Sequence, residues 1–122
     1  MTSEREVLDA LKENKEIELT VKGRVTGKAI PRPVWFTLSK DEKAIFLIPM
    51  NGRKTQWYLN VKREPAVAIR VGGRAFNGRL TEADPRRFKE AVDTFTSKFG
   101  EQAMEEYYEL EVAFELPLSS LS

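Results

Sequence analysis

The sequence predicts a mainly β fold with flanking helices, in which six largely antiparallel strands curl into a barrel and helices cover its openings. Three observations carry that expectation. Six segments show strand patterns within 122 residues, several are joined by tight turns, and the rest of the chain carries apolar stripes between helix caps. A chain of this length makes one domain, with enough residues to bury a real core.

The first helix is expected over 3–14. Ser3 and Glu6 fit a capping box, and Val7, Leu8 and Leu11 follow at helical spacing. Residues 16–22 then alternate with period two, placing Ile17, Leu19 and Val21 on one buried face. After a turn at 25–28, residues 32–38 read as a second strand, with Pro33 near its start where a missing N–H is tolerated. The polar stretch 39–43 joins it to 44–49 as a hairpin. A short helix over 57–64 must stop before Pro65. Strands over 66–71 and 74–80 are linked by Gly72-Gly73, which suits a two-residue turn with positive φ. Asp84-Pro85 starts a helix whose stripe of Phe88, Ala91, Val92, Phe95 and Phe99 reads as core, and Gly100 ends it. A further short helix over 101–108 carries Tyr107 and Tyr108. Residues 109–116 alternate strictly, which predicts a last strand with Leu110, Val112, Phe114 and Leu116 inward.

Composition narrows the chemistry. There is no Cys and no His, so thiolate nucleophiles, Cys-ligated metals, His-based triads and the common zinc motifs are all excluded. Any reaction must use carboxylates, Lys, Tyr or hydroxyls, or a bound cofactor that carries the reactive atoms. No apolar run approaches the length of a membrane span and the first residues are not a signal peptide, so the cytoplasm is expected. Net charge is +1, but residues 22–87 hold 15 basic against 5 acidic side chains while the two ends are acidic. That middle suits an anionic ligand such as phosphate, polyglutamate or nucleic acid, unless its cations merely coat exposed strands.

Residues 51–65 concentrate the candidate chemistry. Asn51-Gly52 is a turn that can present backbone N–H groups beside Arg53 and Lys54. Trp57 and Asn60 then share one helix face. These fifteen residues taken alone favour Trp57 and Tyr58 as core fillers with solvated cations around them; the alternative is a site wall.

Several blocks taken together resemble the deazaflavin-dependent nitroreductase family, within the flavin-binding split β-barrel superfamily that includes pyridoxamine-phosphate oxidase. They are Gly23-Arg24-Val25-Thr26-Gly27-Lys28, Arg32-Pro33-Val34-Trp35-Phe36, Trp57-Tyr58-Leu59-Asn60-Val61 with Glu64-Pro65-Ala66-Val67, and Gly72-Gly73-Arg74. The resemblance covers roughly half the chain, from Gly23 to Leu80. It implies a six-stranded Greek-key split barrel that binds coenzyme F-420 or FMN in a groove, often beside a homodimer interface.

By the same resemblance, Arg24, Thr26, Lys28 and Arg32 face the anionic tail of the cofactor. The backbone of Val34, Trp35 and Phe36 runs along its ring system. Met50, Asn51, Gly52, Arg53 and Lys54 form the loop that reaches the phosphate, and Trp57 and Asn60 border the pocket. The family often has a Ser-Lys-Gly-Gly loop here and a longer link to the Trp, so Arg53 or Lys54 stands in for its lysine. Tyr58 is the candidate proton donor, and no metal site is expected. The function this implies is hydride transfer from reduced F-420 or FMN to a small acceptor such as a quinone, nitro compound or conjugated alkene. The alternatives are a flavin-binding or anion-binding protein without turnover and, ranked last, a nucleic-acid binder.

Overall fold

The computed structural model describes residues 4–122, and the expected cap at Ser3 lies outside that range. Helix α1 (Glu4–Lys12) precedes strand β1 (Glu16–Lys22), followed by β2 (Ala29–Trp35), β3 (Thr37–Leu38) and β4 (Ala44–Leu47). A 3-10 turn (Gly52–Lys54) leads into helix α2 (Gln56–Arg63). Then come β5 (Ala66–Val71), β6 (Arg74–Arg79), β7 (Thr81–Glu82), α3 (Pro85–Phe99), α4 (Glu101–Tyr107) and β8 (Phe114–Pro117), with a closing 3-10 turn (Leu118–Ser120). No helix among the described residues is long and apolar enough to cross a membrane.

All strand pairs are antiparallel, in two four-stranded sheets ordered β2-β1-β5-β6 and β3-β4-β8-β7. The described residues thus form eight strands where the sequence predicts six. One cause is a break at Phe36, the single residue between β2 and β3; its carbonyl accepts a hydrogen bond from Lys98 Nζ at 2.8 Å instead of a neighbouring strand. The other is Leu80, between β6 and β7, whose N–H donates to the Pro65 carbonyl at 3.0 Å. At each break the chain passes from one sheet into the other.

Burial follows the expected pattern in β1, where Ile17, Leu19 and Val21 are buried. Strand β4 is buried on both faces: Ile45 and Leu47 join the main core, while Phe46 and Ile48 face a second cluster with Ala91 and Phe95 of α3. The α3 stripe is core, as its spacing implies. Asp84 caps that helix by accepting from Arg87 N at 2.9 Å.

The last strand is shorter than the alternation predicts. Residues 109–113 are not strand, and Leu110 is 42% exposed rather than inward. The N–H of Glu109 donates to the Met50 carbonyl and that of Glu111 to the Glu109 carbonyl, so this stretch is tied to the 50–53 turn and to itself. Val112, Ala113 and Phe114 are then buried in succession, which ends the period of two. The tyrosine pair divides as well: Tyr108 is buried and Tyr107 is 54% exposed.

Candidate functional site

The hairpin β1-β2 and helix α2 build the site. Antiparallel register places Val21 opposite Ile30 and Leu19 opposite Arg32, with residues 23–28 as the connection. That connection closes on itself: Gly23 N donates to the Lys28 carbonyl at 2.8 Å and Gly27 N to the Gly23 carbonyl at 2.9 Å. Val25 stands at its tip, 89% exposed.

Helix α2 clasps the loop through two side chains. Asn60 is 5% exposed, and its Oδ1 accepts from the Arg24 backbone N at 3.0 Å and from Arg24 Nη1 at 2.9 Å. Gln56, one turn earlier on the same face, accepts from Arg24 Nη2 at 3.0 Å. Both partners are neutral amides, so the guanidinium is fixed in place while its charge is not compensated.

A cavity of about 270 Å³ lies between these elements, with Arg24, Thr26, Arg32, Trp57, Asn60 and Gln56 in its wall. A second, of about 460 Å³, shares residues 23–26 and adds Lys22, Arg63 and Glu64. Among the described residues, Lys22, Arg24, Arg32 and Arg63 form no salt bridge with a carboxylate. Four cations against Glu64 therefore give the two cavities a positive field, which low-dielectric walls concentrate.

Five residues expected in the site from the sequence thus meet in one place: Arg24, Thr26, Arg32, Trp57 and Asn60. Trp57 is also 7% exposed, with its ring 5.8 Å from that of Phe114, so it belongs to core and cavity wall together. Lys28 is exposed on the loop and lines neither cavity. Val34 packs on the main core, Phe36 is buried within it, and Trp35 stacks on Phe99 at 4.2 Å; none of the three lines these cavities. Tyr58 is buried against Phe114 at 5.7 Å, outside both walls.

Met50, Asn51, Gly52, Arg53 and Lys54 also lie outside the two walls. Their turn holds a carboxylate of its own chain, since Arg53 N donates to Glu111 Oε1 at 2.8 Å. Gly52 has φ +56°, and a Cβ there would run into the Glu111 carboxylate, so the fit requires glycine. Gln56, Lys22 and Arg63 are wall residues that the sequence reading missed. The spacing of Gln56 and Asn60, four apart on a helix, was the available signal for the first.

The sequence matches the F420H(2)-dependent quinone reductase family over residues 1–117. The chain belongs to that family. No curated protein matches it closely enough to add to this. Among solved structures, an F420-H2 dependent reductase superposes with TM-score 0.68 at 16% identity, covering 84% of this chain and 94% of its own. An FAD-binding protein from Mesorhizobium loti gives TM-score 0.64 at 17% identity over 98% of this chain and 90% of its own. A structure described as a domain-swapped dimer gives 0.69 at 15% identity, covering 93% and 92%. At these identities the structural likeness speaks for the fold alone, and the family assignment rests on the sequence match.

Proposed function

We propose that this chain is a reductase that uses reduced coenzyme F-420 to reduce a small organic acceptor, a quinone or a nitro compound. The family membership supports an oxidoreductase with that cofactor. The observation that carries the reading is the uncompensated Arg24 guanidinium, held by Asn60 and Gln56 at the wall of a cationic cavity.

The fit to an anionic cofactor follows from donor chemistry. Of the five N–H groups of Arg24, two are spent on amide oxygens, which leaves three for a phosphate or carboxylate. Arg32 adds charge in the same cavity, and Lys22 and Arg63 continue it into the next, an arrangement suited to a long anionic tail. Thr26 contributes a hydroxyl, and Trp57 with Val21 and Ile30 an apolar wall. When bound, the reduced cofactor supplies the hydride; the protein binds, orients and excludes water. FMN shares the phosphate but not the extended tail, and the second cavity favours F-420 over it.

In the same reading the two sheets, joined where the chain crosses at Phe36 and Leu80, make a split barrel. The working unit is a homodimer, a reading supported by the dimeric structural neighbour. Sedimentation at twice the 14.0 kDa chain mass is expected, and a monomer at all concentrations would contradict it.

The function is tested by fluorescence titration with F-420 and, separately, with FMN, followed by oxidation of reduced F-420 in the presence of menadione and nitro compounds. Saturable F-420 binding with turnover is expected. Absence of binding by either cofactor at tens of micromolar would overturn the reading, and tight binding without turnover on any acceptor would leave a binding protein.

A further inference from the structure

A second concentration of positive charge lies where α3 meets β3. Lys98, in the last turn of α3, reaches across to Phe36: its Nζ is 2.8 Å from the Phe36 carbonyl oxygen and 3.8 Å from the centre of the Phe36 ring. Lys15, in the connection between α1 and β1, stands 4.9 Å over the Trp35 ring. Trp35 and Phe99 are stacked, and each ammonium also approaches Phe99, at 5.2 Å for Lys98 and 6.0 Å for Lys15. Two cations therefore sit on one aromatic stack. Among the described residues neither forms a salt bridge.

Lys98 opens onto a cavity of about 490 Å³ between α1, β3 and α3, whose wall includes Lys12, Leu38, Lys40, Asp93 and Ser97. Two of its cations are already matched: Lys12 pairs with Glu42 at 2.7 Å and Lys40 with Asp93 at 3.9 Å. Its threonines are closed to a ligand as donors. Thr94 gives its proton to the Ala91 carbonyl at 3.0 Å, which makes Thr37 the donor in the 2.7 Å contact between the two hydroxyls. Groups still able to donate include the Ser97 hydroxyl, two of the three N–H groups of Lys98 and the second N–H of the Asn14 amide, whose first goes to the Ala10 carbonyl at 2.7 Å, beside an apolar patch from Leu38 and the lysine stems.

We propose that this cavity binds a small organic anion, a carboxylate or phosphate ester on an apolar body, with Lys98 and Ser97 contacting the oxyanion and Lys15 adding its field from behind. Such an anion supplies the countercharge that the Lys98 and Lys15 pair lacks. Burial, with the repulsion of Lys15, already pushes the Lys98 ammonium down to about 8, the response of a cation without a partner. The site is separate from the Arg24 cavity, with which it shares no wall residue.

Titration of the full chain, without cofactor, with benzoate, phenyl phosphate and inorganic phosphate tests this through backbone amide NMR shifts. Saturable shifts are expected at 36–38 and 94–98, tighter for the two organic anions than for inorganic phosphate. Lys98→Gln should weaken binding about tenfold or more, since a charge-assisted contact is removed, while Lys98→Arg should retain it. Lys15→Gln should weaken it about two- to threefold through the lost field. The proposal is overturned by shifts that stay linear with concentration, by equal affinity in wild type and Lys98→Gln, or by the same response to uncharged benzyl alcohol. None of these outcomes depends on whether F-420 binds.

Discussion

Asn60 does two jobs with one oxygen. It satisfies the Arg24 backbone N–H and it holds the Arg24 guanidinium, so it fixes the loop and aims the cation together. These roles can be separated by substitution. Asn60→Ala removes the acceptor for both donors, and destabilisation of about 1–3 kcal/mol is expected together with weaker cofactor binding. Asn60→Asp keeps both hydrogen bonds but places a carboxylate against Arg24, which compensates its charge. The aspartate variant is therefore expected to hold its urea midpoint near that of wild type while F-420 affinity falls about tenfold or more. Equal affinity in Asn60→Asp and wild type would show that the Arg24 charge is not what the cofactor reads.

Elements in this chain are set mostly by local signals, and their termini are where single residues matter. Asp84 accepts from Arg87 N at the start of α3, with Pro85 in the first turn. Asp84→Ala leaves that N–H without its side-chain acceptor, and a loss of about 1 kcal/mol is expected, read as a lower urea midpoint with unchanged slope. An unchanged midpoint would mean that solvent caps the helix as well as the carboxylate does.

The same locality explains what could be read in the sequence. Periodicity, turn residues and stop residues were enough for α1, β1, α2, β5 and β6, and with a cap for α3, because each is decided within its own residues. They failed at 109–113, where alternation suggested strand but long-range bonds to Met50 and Arg53 decided otherwise. They also missed the strand breaks at Phe36 and Leu80, each set by a partner distant in sequence. The candidate site divides the same way. Arg24, Thr26, Arg32, Trp57 and Asn60 come together because a hairpin and the helix packed on it bring them there. Trp35 and Phe36 could not be placed from sequence, since α3 and α4 cover the strand at that point.

Across the whole molecule, the uneven charge of the sequence is offset in part by contacts between the ends and the middle. Acidic side chains from both ends reach back to the basic middle, as in Glu6 with Arg74, Asp93 with Lys40 and Glu115 with Arg87. The cations without such a partner include those of the Arg24 cavity and Lys98, and the last of these makes stability depend on pH. Lys98 is held at about 8 by burial and, secondarily, by Lys15, whereas a lysine in the unfolded chain titrates near 10.4. Between those values the unfolded state keeps a proton that the folded state has released, so the unfolding free energy rises with pH. The residue is more than a third exposed, and solvent screening keeps the rise modest. Tyr108 acts in the opposite sense. Burial raises its pKa, so above about pH 10 the unfolded chain ionises a tyrosine that the folded chain keeps neutral, and stability falls. Urea unfolding between about pH 7.5 and about pH 9.5 should therefore show stability increasing with pH, below the range where Tyr108 intervenes. Lys98→Gln should flatten that rise. A wild-type profile that falls over this interval, or a rise that survives in Lys98→Gln, would place the titrating amine elsewhere.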